Sequence, residues 1–380
     1  MLKRILALML MLLLLLSATA CGEPDWSEEV TINPTATPAP TPTPTPTPAP
    51  TPTPTPEPTP EPTPTPYNGP ENPLTGEPVA VDVSNVRPIA VMLNNIKEAQ
   101  PQQGNGQADI IYEVIAEGGI TRMLGVYQSV EGIEVLGSVR SARRYYIELA
   151  LGHDAIFVHA GGSEEAYSDL RTWDVDYIDG VNGHFSYIPG GVFYRDQYRM
   201  GDGKKYSYEH SLMTSGERIM EAVEYYDIRP ALKDGFELGL EFVDDGAPAD
   251  GVAAHIVKVP FSNYKTGVFT YDEESGLYMV EEYGQPYIDG NDGSQVGVTN
   301  VITLQIPCYN SGDSYGHMIV TLDSGSGWYA CGGKMIPIRW EKGDKYAPFK
   351  YYTENGEILQ LGRGSTYVNL IPLENEIIAE

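Results

Sequence analysis

Arg140, Arg143 and Arg144 crowd one short stretch of a chain that holds only 24 lysines and arginines against 52 acidic residues. Arg122 precedes them, just after Glu117-Gly118-Gly119, and Arg195 follows in an aromatic setting. A guanidinium is a planar fork of N–H donors that matches carboxylate and phosphate oxygens. Arginines gathered in one region of an acidic protein therefore point to an anion site. Ser138 and Ser141, at an expected helix start, would add backbone donors. A phosphorylated or uronic glycan of a cell wall is the ligand such a site suggests. The competing account is internal pairing with Glu113, Glu117, Glu148 or Asp154.

Acid–base chemistry has four candidates: Glu113, Glu117, His159 and His210. His159 closes an apolar run at 155–158, and ligands of open α/β sheets sit at the C-terminal ends of strands. A histidine there titrates near neutrality and can move protons, or it can be purely structural. His210 beside Glu209 reads the same way. Glu113 and Glu117 are neighbours on one face of a helix; on a strand they share a face but lie farther apart. No HExxH, Cys-x-x-Cys or phosphate loop occurs. Asp289-Gly290-Asn291-Asp292-Gly293 lacks the downstream Glu of a calcium loop and reads as a turn. No metal or cofactor is expected. Cys308 and Cys331 are open to pairing in an oxidising compartment, subject to a geometry that sequence does not supply.

The positioning of such a site begins with the chain's first residues. Lys3 and Arg4, the apolar run at 5–16, and the small residues 17–20 make a secretory signal over 1–20. The run is shorter than the roughly 20 apolar residues that span a bilayer. Small residues ending in Cys21 resemble the bacterial lipoprotein signal, in which the thiol is acylated and the chain is cut before it. Ala18 stands where Leu is more usual. A diacylglycerol supplies the multiple acyl chains that stable anchoring needs. Residues 21–67 form a spacer dominated by Thr-Pro repeats. Proline at every second position denies the backbone its donors and favours extended polyproline geometry. At about 3.1 Å per residue, the spacer reaches on the order of 100 Å. The chain is thus expected on the outer face of the cytoplasmic membrane, with membrane lipid as its partner through Cys21. A net charge of −28 excludes nucleic acid, whose phosphates need a basic footprint.

Beyond the spacer, an α+β fold is expected: a mixed α/β domain over 68–235 and a largely β domain over 236–380. Apolar runs at 87–94, 108–116, 121–127 and 155–160 read as strands. Residues 145–151 and a segment from Ser163 onward have helical spacing. Ser141 is a candidate cap for the first helix. Thr214 with Glu217 suggests a capping box opening a helix over 215–226. Short β-type runs separated by turns fill the second half: 238–243, 254–259, 267–271, 298–306, 317–322, 335–340, 350–352 and 367–371.

Several strings together resemble one family. They are NPLTGEP (72–78), RPIAVMLNN (87–95), ADIIYEVIAEGGITRMLGVYQS (108–129), GSVRSARRYYIELA (137–150), DAIFVHAGGSEEAYSDL (154–170), FYRD (193–196) and EHSLMTS (209–215). The combination resembles the YerB-like lipoproteins, a family defined by a domain of unknown function, over essentially all of 72–380. The resemblance implies an exported lipoprotein, mostly of Gram-positive bacteria, and implies no reaction. The family tends to have Pro before its His and Asn after it, where this chain reads Glu209-His210-Ser211. Three functions stay open: a non-catalytic envelope lipoprotein binding an anionic wall polymer or an envelope protein, an envelope enzyme acting on a glycan or phosphodiester, and a solute-binding lipoprotein.

Overall fold

The computed structural model describes residues 69–200 and 208–380. The signal, Cys21 and the Thr/Pro spacer lie outside the described residues.

Unbroken apolar sequence produces strands buried along their whole length. β1 (Ile89–Asn94), β2 (Ile110–Ile115) and β3 (Thr121–Tyr127) are buried at every position. β2 and β3 turn at Glu117-Gly118-Gly119, where both glycines have positive φ, a backbone state glycine adopts without penalty. β3 pairs antiparallel with both β2 and β1. The helix α1 (Arg144–Leu151) leads into β4 (Ile156–His159), which runs parallel to β1. The helix α2 (Glu164–Thr172) leads into β5 (Tyr177–Asp179), parallel to β4. A further helix, α3 (Gly216–Tyr225), ends this part.

In the second part, β6 (Ile256–Pro260), β7 (Thr266–Asp272) and β8 (Leu277–Glu282) form an antiparallel meander. β9 (Asn300–Ile306), β10 (Ser324–Cys331), β11 (Lys334–Glu341) and β12 (Thr366–Pro372) do not join it. They extend the first sheet, giving the order β11-β10-β9-β12-β2-β3-β1-β4-β5. β12 is the seam, parallel to β9 on one side and to β2 on the other. The sheet therefore runs through both parts of the chain.

Because side chains alternate across a strand, this sheet buries two faces. Ala90, Met92, Tyr112, Val114 and Leu124 pack with Tyr146, Ile147 and Ala150 of α1. Val91, Leu93, Ile111 and Met123 pack with Val257, Phe269 and Val280 of the meander and with Ile219 and Ala222 of α3. Each Val, Leu, Ile, Met or Phe among them is worth about 1.5–3 kcal/mol on full burial. The result is mostly strand with few helices, the expected α+β class with a largely β second part.

Two caps differ from expectation. Arg143, not Ser141, precedes the first turn of α1, without a side-chain cap; the Ser141 hydroxyl donates to Ala160 O instead. Ser215, not Thr214, caps α3 by accepting from Arg218 N, while Thr214 donates to Val192 O. β8 and β10 were not expected at all. Cys308 and Cys331 are both free thiols: Cys308 lies in the Cys308–Asn310 strand, outside the main sheet, and Cys331 ends β10 within it. No helix among the described residues is long and apolar enough to cross a membrane.

Candidate anion-binding site

The parallel pairing of β1 with β4 stops at Val91 and Val158. Beyond it the two strands splay, and the chain at 138–142 is wedged between their C-terminal ends. Arg140 N donates to Met92 O, Ala160 N to Arg140 O, and Asn94 N to Ser138 O. Backbone bonds on both sides thus hold Arg140 at the C-terminal edge of a parallel pair, where α/β sheets place their ligands. Arg122 reaches the same edge from β3, in register with Asn94. Arg143 arrives from the start of α1.

Two of these three guanidiniums share one half-buried carboxylate. Glu117 lies 3.0 Å from Arg122 and 2.5 Å from Arg143. Burial pushes the Glu117 carboxyl up, but the Arg122 and Arg143 charges together overcome it and leave it below its ordinary range. Arg140 donates to Glu209 O at 2.9 Å, and the exposed Glu209 carboxylate is 3.7 Å away. Burial and the Arg122 charge lower the Arg140 pKa to about 10. Burial and the Arg143 charge lower that of Arg122. The Nε atoms of Arg122 and Arg140 are buried and have no hydrogen-bond partner. Mutual repulsion, desolvation and unpaired donors all favour an added anion here.

His210 borders Arg140. The Asn94 side-chain oxygen accepts from Ile96 N, so its amide nitrogen faces His210 Nδ1 at 2.9 Å and donates to it. The imidazole proton then sits on Nε2, 3.5 Å from Glu209. Burial and the Arg140 charge both lower the His210 pKa. His317 comes from the second half of the chain, its Nε2 3.8 Å from Glu117 and its Nδ1 2.5 Å from Asp313. Arg143 also lines a cavity of about 870 Å³ between the starts of α1 and α2 and the 311–322 hairpin.

The model of the "Protein of unknown function (DUF3048) N-terminal domain" matches residues 74–229, and that of the corresponding C-terminal domain matches 257–368. "Putative lipoprotein YerB" of Bacillus subtilis (strain 168) is 31% identical over 305 residues, spanning 79% of this chain and 86% of the relative. The chain belongs to the YerB family. The crystal structure of YerB protein from Bacillus subtilis superposes with a TM-score of 0.69 at 28% identity, covering 81% of this chain and 99% of that one.

In this YerB-family fold the remaining candidate residues lie apart from the cluster. Arg144 makes a two-pronged contact with Asp169 at 2.7 and 2.8 Å and meets Glu165. Arg195 lies 3.8 Å over the Tyr208 ring and donates to Tyr208 O. Glu113 alternates with the Arg122 partner Val114 along β2, so it faces the opposite side of the sheet. There it meets Lys265 at 2.9 Å, Thr121 at 2.5 Å, Tyr367 at 2.6 Å and Asn95 at 2.9 Å, all buried. Lys265 also pairs with the buried Glu282. Asp154 pairs with Arg229 and Arg87, and Glu148 lines the cavity beside Arg143. Of Glu113, Glu117, Glu148 and Asp154, then, Glu117 alone binds the cluster.

His159 is wholly buried, with Nδ1 donating to Gly161 O at 2.8 Å and Asp179 at 3.9 Å. Asp289 does build a turn: its carboxylate accepts from the backbone N–H groups of Gly104, Gly106 and Asn291. Among the described residues no group of three or more His, Cys, Asp or Glu side chains is arranged to hold a metal. Asn94, His317, Lys265 and Glu282 were missed. His317 and Lys265 lie far along the chain from the arginines and Glu113, and no local motif links them.

Proposed function

We propose that this chain is a lipid-anchored envelope protein, carried by its Thr/Pro spacer outside the cytoplasmic membrane, that binds the anionic groups of a wall polymer at Arg122, Arg140 and Arg143. The observation that carries the binding reading is the convergence of three guanidiniums of which only Arg122 and Arg143 reach the carboxylate of Glu117, while Arg122 and Arg140 each keep an unpartnered buried Nε. An anion would supply the missing charge and acceptors, and the forked donors select carboxylate or phosphate oxygens. Support for the anchor comes from the signal ending in Cys21 and from the lipoprotein name of the relative. An acidic surface elsewhere keeps the rest of the protein off a polyanion, which confines the attraction to this site.

The full chain in detergent is tested for retention on isolated cell wall, before and after extraction of the wall's anionic polymers. Retention should fall after extraction, and Arg140→Gln should lower it without lowering the melting temperature. Equal retention on stripped wall would sink the reading. For the anchor, Cys21→Ser should release the protein from the membrane fraction; a variant that stays membrane-bound would remove the lipid from the account.

A further inference from the structure

The anion cluster does not end at Arg143. That side chain is nine-tenths buried and is held by Glu117 on one side, yet it also lines the cavity of about 870 Å³. A volume of this size is within the range of small-ligand sites and exceeds the needs of one carboxylate or phosphate. One wall comes from the starts of α1 and α2, with Arg144, Ser163 and Glu164. The other is the 311–322 hairpin, with Asp313, Tyr315 and His317. The hairpin wall is internally braced: Asp313 accepts from the His317 backbone N–H at 3.0 Å and contacts its Nδ1, and the Tyr315 ring packs against the His317 ring at 5.5 Å. Tyr315 itself is 76% exposed, so a pre-positioned ring stands at the edge of the cavity.

We propose that this cavity is the subsite for the sugar chain that carries the anion, so that the ligand is an anionic oligosaccharide several residues long, with its charged group at the arginines and its sugars against Tyr315 and the α2 start. The inference rests on the anion-binding reading and adds the ligand class and the second wall. Sugars present many hydroxyls, which donate and accept, and ring faces of C–H groups. The cavity offers carboxylate acceptors (Glu148, Glu164, Asp313), serine hydroxyls and an aromatic ring, a match to both features.

The test titrates the full chain in detergent with galacturonate, with a dimer and a tetramer of otherwise neutral sugars each ending in one galacturonate, and with hexaglutamate as an anionic peptide. The tetramer should bind at least about tenfold more tightly than the monomer. Tyr315→Ala, an exposed change whose fold is checked by thermal melting, should abolish that gain while leaving monomer binding intact. If monomer and tetramer bind equally, or Tyr315→Ala leaves the gain untouched, the cavity proposal falls and the arginine reading stands. A hexaglutamate affinity equal to that of the tetramer overturns the sugar class. If no anion binds at all, both readings fall together.

Discussion

Lys265 Nζ lies 2.9 Å from Glu113 Oε1, and neither side chain reaches solvent. The pair ties the meander to the face of the main sheet opposite the arginines, with Glu282 as a second carboxylate on the same ammonium. Burial drives the Lys265 pKa down and Glu113 opposes it. Lys265→Met would strand two buried carboxylates without a cation, a loss of about 3–5 kcal/mol. The companion change Glu282→Gln should recover part of that loss. Urea denaturation of the single and double variants checks both signs; a Lys265→Met variant as stable as the parent would refute the interlock.

The seam formed by β12 makes a second claim about cooperativity. A sheet that takes strands from both parts of the chain should melt as one unit. Trp173 lies in the first part, and Trp328 and Trp340 in the second. Single-tryptophan versions should report coincident unfolding midpoints. Two separated transitions would mean that the seam does not couple the halves.

Glu117 is held against two arginines at some cost to the binding site. Glu117→Gln should lower stability by about 2 kcal/mol, because Arg122 and Arg143 lose their shared counterion. It should also raise affinity for an added anion, since more positive charge is left unopposed. The carboxyl is depressed in the fold, so its contribution is present above its unfolded pKa and is lost as pH falls through the lower folded value. The variant should therefore show less acid destabilisation below about pH 4. Thermal melts across pH, with and without phosphate, give both readouts.

Buried histidines set a second pH window. Burial, aided by the Lys342 charge, lowers the His153 pKa to about 3, and burial outweighs Asp179 at His159. Below about pH 6.5 the unfolded chain takes up protons that the folded chain refuses. Stability should therefore drop as pH falls from about 6.5, by up to about 1.4 kcal/mol per pH unit for each histidine. His153→Gln should flatten the urea midpoint between pH 7 and 5. A parent midpoint that does not move over that range would contradict the assignment.

Much of the first sheet could be read directly, because runs such as Ile89-Ala90-Val91-Met92-Leu93 are too apolar and too short to be anything but buried strands. The arginine cluster was visible for a compositional reason: basic residues are scarce, so their crowding near 140 stood out. What escaped were relationships that no local pattern encodes. β10 begins Ser-Gly-Ser-Gly, a turn-like string that forms a strand because β11 pairs along all of it and β9 joins from Gly327 onward. The insertion of β12 between β9 and β2 joins residues far apart in sequence. Glu113 and Arg122 are near neighbours in sequence and both are polar residues in apolar runs, yet the alternation of β2 and the register of β3 put them on opposite faces. His317 reaches Glu117 only because the hairpin folds back over α1.

The most direct measurement of the central claim is isothermal titration of inorganic phosphate and galacturonate into the full chain and into Arg140→Gln. Arg140 is desolvated and faces two like charges, so its removal should leave the melting temperature unchanged or raised. The parent should bind saturably, more weakly as salt is added, and Arg140→Gln should bind at least about tenfold less tightly. No saturable heat from the parent, or equal affinity in the variant, would contradict it.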